Sequence, residues 1–131
     1  MRQVSTVFLL QLFMILPLLA SAQEAQFSSS TMLFMQRLER YKPLKPGSAN
    51  EIKELNKEFI VIVSRKKVMA GAMLKVNESI DMKRLKKLGV EINTNAGGIL
   101  TARIPVNKFE KLKRVKGLVL VDVNLAVQTR Q

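Results

Sequence analysis

Residues 81–94, DMKRLKKLGVEINT, and residues 107–122, NKFEKLKRVKGLVLVD, are built to one plan. In the first, Met82, Leu85 and Leu88 recur at i, i+3 and i+6. In the second, Phe109, Leu112 and Val115 do the same. That spacing places three apolar side chains on one face of a short helix. Gly89 and Gly117 follow, and glycine suits the left-handed residue that ends a helix. Ser79 or Asp81 can cap the first helix and Asn107 the second. After each glycine an apolar run begins, residues 90–94 and 118–123, rich in the β-branched residues that favour strands. Each unit is a helix, a stop and a strand.

A strand also precedes each helix. Residues 68–76 (VMAGAMLKV) lead into the first and 99–104 into the second, with Asn95, Ala96, Gly97 and Gly98 turning the chain between the halves. The order β-α-β, turn, β-α-β predicts an α+β domain of ferredoxin-like form: a four-stranded antiparallel sheet with both helices on one face. Upstream, Phe34, Leu38 and Tyr41 predict an additional N-terminal helix over residues 31–41. KPLKPGSAN, residues 42–50, reads as a loop, residues 51–58 as a short helix and FIVIV, residues 59–63, as an added strand. Residues 23–30 read as a polar, mobile lead-in. The divisions are a signal segment at 1–22, a helical and linker region at 23–57, and the sheet domain at 58–131.

Two helices on one face leave the other face bare. Strand alternation turns Val68, Ala70, Ala72, Leu74 and Val76 toward the helices, and Met69, Gly71, Met73 and Lys75 away. In the last strand Val119, Val121 and Val123 point in, and Leu118, Leu120 and Asp122 out. Met69, Met73, Leu118 and Leu120 would then form an apolar patch of the kind that marks a partner or a covering segment. The N-terminal helix folding back is the bland alternative. The two central strands carry no aromatic residue, so the stacking platform of a single-stranded RNA binder is missing and no specific nucleic acid is expected. Basic residues sit on the helices instead, at Lys83, Arg84, Lys86, Lys87, Lys108, Lys111, Lys113 and Arg114.

Composition narrows the chemistry. The 131 residues include 22 Lys and Arg against 10 Asp and Glu, with no His and no Cys. A Ser-His-Asp triad and the usual zinc sites need residues this chain lacks. No catalytic residue, metal ligand or cofactor site is assigned. Arg2, the apolar run 7–20 and Ala20-Ser21-Ala22 have the order of a cleaved export signal. The apolar run is too short for a bilayer span, so no transmembrane anchor is expected after cleavage. Removing Arg2 with the leader gives a net charge of 12 − 1 = +11, which invites anionic partners. The product would be exported, periplasmic or extracellular. Asn77-Glu78-Ser79 matches a glycosylation pattern but serves equally as a turn.

LKKLGVEINT (85–94), GGILTARIPVNKFEKL (97–112) and GLVLVDVN (117–124) together resemble the prodomain of secreted bacterial subtilisin-like serine proteases. MLFMQRLERY (32–41) is similar to the leader region of such precursors. The likeness is good over the C-terminal half and loose over the rest. It implies a ferredoxin-like domain whose bare sheet face packs on the protease. It also implies a C-terminal tail, here Leu125, Ala126, Val127, Gln128, Thr129, Arg130 and Gln131, that lies in the active-site cleft like a cleaved product. Such domains assist folding of the protease and inhibit it. No protease domain follows the tail, so the resemblance implies a separate inhibitor or folding assistant, or the remnant of a truncated precursor. The rival class is an exported basic adaptor that docks on an anionic envelope surface through the two helices; high salt would dissolve that attachment.

Overall fold

The computed structural model describes residues 24–126. Residues 1–23, which include the expected export signal, and Val127 to Gln131 of the expected tail lie outside them. The elements are β1 (Gln26–Phe27), α1 (Ser29–Glu39), α2 (Ala49–Leu55), β2 (Val61–Ser64), β3 (Lys67–Val76), α3 (Met82–Lys87), β4 (Glu91–Ala96), β5 (Ile99–Pro105), a 3-10 turn (Val106–Lys108), α4 (Phe109–Leu112) and β6 (Leu118–Val123). The class is α+β. The sheet is mixed and has six strands rather than four, in the order β1-β6-β3-β5-β4, with β2 also on β3.

Of the two added strands, β2 follows from the length of β3, and β1 adds to the outer edge of β6. Residues 69–75 of β3 pair with β5 along one edge. On the other edge β6 reaches only Ala72 to Val76, and β2 takes Lys67 to Ala70. The two partners meet at Gly71, whose N–H donates to the Ile60 carbonyl at 2.9 Å and whose carbonyl accepts from Asn124 N–H at 2.9 Å. A third bond, Ile60 N–H to the Asn124 carbonyl at 3.3 Å, closes the junction. Every backbone group there is paired, as a sheet interior requires. The expected strand at residues 59–63 therefore begins later, at Val61, and Phe59 makes a separate bridge to Leu125.

The lead-in at residues 23–30 is ordered from residue 24, not mobile. β1 adds in parallel to the edge of β6. Beyond it, Thr31 Oγ donates to the Val121 carbonyl and accepts from Val123 N–H, both at 2.8 Å. Ser28 caps α1 by accepting from Thr31 N–H, and Ser28 and Ser30 hydroxyls donate to Asp122 at 2.7 and 2.8 Å. The polar run that looked like loop is a seal over an edge strand, which would otherwise present unpaired backbone groups.

Local signals account for the first helix-strand unit and only partly for the second, whose helix stops at Leu112, leaving Val115 and Gly117 in the turns that lead to β6. Asp81 caps α3 by accepting from Arg84 N–H at 3.0 Å. Gly117 adopts φ 82° and sits so close to the backbone of Ser79 and Ile80 that no Cβ fits. Asn107 caps nothing: Pro105 ends β5 and the chain enters α4 through the 3-10 turn, with Asn107 inside it. The Asn95–Gly98 turn forms as two left-handed glycines, with φ 59° and 85°, between paired Ala96 and Ile99.

All four helices bury their apolar faces in one core. Phe34 and Leu38 of α1, Leu55 of α2, Leu85 of α3 and Phe109 and Leu112 of α4 join Val68, Ala70, Ala72 and Leu74 of β3 and Leu100, Ala102 and Ile104 of β5. Phe34 stands edge-on to Phe59 at 5.0 Å and beside Phe109 at 5.5 Å, so α1 is bound into the helical layer instead of folding over the bare face. Residues 24–57 thus share the core of the sheet domain.

Candidate functional site

The face away from the helices is read from the pairing register. Met69, Gly71, Met73 and Lys75 of β3 lie on it beside Pro105, Arg103, Thr101 and Ile99 of β5, and Asp122 and Leu120 of β6 stand opposite Met73 and Lys75. β2 contributes Ile62, opposite Met69. Ile60 reaches the same face: a Cβ on Gly71 would touch its side chain at 3.4 Å. Gly71 keeps this centre of the face low, since any side chain would meet Ile60 and the Asn124 amide.

Two of the four anticipated patch residues occupy the surface. Met73 is 39% exposed and Leu120 half-buried. Met69 lies on the bare face but is 1% exposed, between Ile62 and Pro105 in the register. Leu118 is a correction: it is buried in the core on the opposite face. The cause is a β-bulge. Lys75 pairs with Leu120 and Val76 with Leu118, so Val119 is the extra residue. Simple alternation fails by one residue beyond it. Val119, expected inside, is 39% exposed.

The residues missed from the sequence are Ile60 and Ile62. The signal was present: in FIVIV, once Phe59, Val61 and Val63 are assigned to one face, Ile60 and Ile62 belong to the other. Together with Met73 and Leu120 they make an apolar strip across β2, β3 and β6. The middle of the β4–β5 half of the face is polar, with Glu91 and Arg103 paired at 3.8 Å and Thr94 and Thr101 hydroxyls 2.6 Å apart, while Ile99 at its end is exposed. Such a surface is apolar on one side, polar on the other and shallow in the middle. It can take a packed partner.

The tail leaves from the corner of this strip. Leu125 bridges Phe59 in antiparallel fashion and is 54% exposed. Ala126 N–H donates to the Glu58 carbonyl at 2.8 Å. Both belong to the segment that the resemblance assigns to a partner's cleft; in this chain they are tied to the domain by these contacts. Glu58 is itself held: Arg37 donates from Nε and Nη2 to its two carboxylate oxygens at 3.1 and 3.2 Å. That bond keeps the Glu58 carboxyl below the usual carboxylate range and raises Arg37.

The basic helical residues are mostly solvated. Lys83, Arg84, Lys86, Lys87, Lys111 and Arg114 are exposed, while Lys108 and Lys113 are half-buried. Lys113 pairs with Glu110 at 3.3 Å and stands 5.4 Å from the centre of the Phe27 ring. Among the described residues no cluster of acidic side chains could hold a metal, and no helix is long and apolar enough to cross a membrane. The Asn77-Glu78-Ser79 stretch forms a turn in which Asn77 Oδ1 accepts from Ser79 N–H at 2.8 Å.

No family model matches the chain, and neither a curated protein nor a solved structure matches it.

Proposed function

We propose that the chain is an exported, prodomain-like binding protein that docks on a subtilisin-like serine protease and inhibits it or assists its folding. The observation that carries this reading is the pairing of a sheet face that no described helix covers with a C-terminal segment, Leu125 and Ala126, at its apolar corner. The apolar strip of Ile60, Ile62, Met73 and Leu120 would pack on the enzyme's surface. From Val127 onward the chain would enter the cleft as an added strand, backbone bonds supplying affinity and side chains selectivity.

The ferredoxin-like assignment belongs to the same reading. It is supported by the elements β3-α3-β4-β5-α4-β6 in sequence and by the order β6-β3-β5-β4 within the larger sheet. β1, β2, α1 and α2 are additions at its edges. The chain has no catalytic role in this account, since no His or Cys is present to activate a nucleophile. The rival adaptor would dock through the exposed cations of both basic helices, and its binding would vanish at high ionic strength.

The direct test is Met73→Asp. A carboxylate buried without a partner at an interface should weaken binding to a subtilisin-like protease by about tenfold or more. Circular dichroism should be unchanged, because Met73 is outside the core. Equal binding by the variant, in a protein that does inhibit, would remove the sheet face from the account.

A further inference from the structure

A groove of about 750 Å³ opens on the helical side, where the loop after α1, the β2–β3 turn and the 3-10 turn converge. Lys42, Lys45, Lys66, Lys67 and Lys108 line it, and no acidic residue does. Lys42 is paired with Glu39 at 3.2 Å. Among the described residues the other four lysines make no ion pair. Between the lysines the wall is apolar, formed by Leu38, Leu44, Val68 and Val106 with the rings of Pro43, Pro46 and Pro105.

Gathering like charges around one cleft costs folding energy through mutual repulsion. The lysines come from three separate segments, so no single helix face explains the cluster. The β2–β3 turn supplies an independent observation. Arg65 and Lys66 both adopt left-handed backbone, with φ 51° and 64°. A two-residue hairpin turn of this kind is met without strain by Asn-Gly. Lys66 instead occupies a strained position and lines the groove, and strain of this sort collects where a side chain is needed for binding.

The geometry points to a binding site for a small anionic amphiphile, its apolar body on the Leu38–Val68–Val106 wall and its phosphate or carboxylate head among Lys45, Lys66, Lys67 and Lys108. The volume is in the range of small-molecule sites, which are largely apolar with a few convergent polar groups. No aromatic residue lines the groove to stack a nucleobase. The site shares no residue with the apolar strip of Ile60, Ile62, Met73 and Leu120 and does not depend on protease docking.

Isothermal titration of the full chain with octyl phosphate, below its micelle concentration and in physiological salt, tests this. One equivalent should bind saturably. Octyl glucoside, with the chain but no charge, and inorganic phosphate, with the charge but no chain, should each bind at least about tenfold more weakly. Octanoate at matching affinity would assign the head as carboxylate or phosphate alike; weaker octanoate would assign it as phosphate. The double variant Lys45→Gln/Lys108→Gln should lose about tenfold in affinity for octyl phosphate, with its circular dichroism unchanged. Lys83→Gln/Lys87→Gln removes the same charge on α3, outside the groove, and should bind as the parent does. The proposal is overturned if octyl phosphate fails to saturate, if octyl glucoside matches it, or if both double variants weaken equally.

Discussion

Gly117 and Lys66 occupy left-handed backbone for opposite reasons. At Gly117 a side chain has no room, because the chain between β3 and α3 passes directly against it at Ser79 and Ile80. Gly117→Ala therefore adds backbone strain to a collision with main-chain atoms, and neither can relax by rotating a side chain. We expect a loss of about 3 kcal/mol or more in urea unfolding. At Lys66 the side chain is exposed and only the φ of 64° is costly. Lys66→Gly relieves that strain but adds freedom to the unfolded chain. The net gain should be about 0.5–1 kcal/mol, seen as a higher denaturation midpoint with unchanged slope. Gly117 was expected to end the second helix, but α4 stops at Leu112 with Lys113 as its cap, and Gly117 serves the turn before β6. The strain at Lys66 was not legible in the sequence, because nothing in Arg-Lys-Lys distinguishes a left-handed turn from an extended one.

Elements with their own period were read well, and elements completed by a distant partner were read poorly. α3 and β5 carry complete signals in their own residues: a cap, an apolar repeat or an alternation. The lead-in to α1 does not. Ser28, Ser30 and Thr31 become structural only when β6, about 90 residues on, offers Val121, Asp122 and Val123 as bonding partners. The bulge at Val119 is likewise a property of the β3–β6 pair. It moved Leu118 from the expected patch into the core. Between elements, Arg37 of α1 grips Glu58 just where the tail hydrogen-bonds to the Glu58 carbonyl. A carboxyl held below its ordinary pKa stabilises the fold above the unfolded pKa, and that contribution is lost as pH falls through the folded value. Parent and Glu58→Gln should therefore differ in stability at neutral pH and converge as pH drops below about 4. Parallel unfolding curves at every pH would show that the pair contributes nothing.

At the scale of the molecule, one long central strand determines what is covered and what is bare. β3 takes β5 on one edge and β2 and β6 end to end on the other, and every described helix packs on a single side of the sheet they form. The class and the bare face were legible because they follow from periodicity and element order. The content of the face was only half legible, since Ile60 and Ile62 belong to it through pairing with β3. The tail boundary also moved: Leu125 and Ala126 are held by Phe59 and Glu58. A truncation meant to separate folding from inhibition must remove only Val127 to Gln131. The central claim is tested most directly by the inhibition constant against a subtilisin-like protease, measured for the full chain and for the chain ending at Ala126, at low and high salt. The account predicts inhibition by the full chain that survives high salt, and a loss of about tenfold or more on truncation with thermal stability unchanged. Equal inhibition by both forms, or none by either, would contradict it.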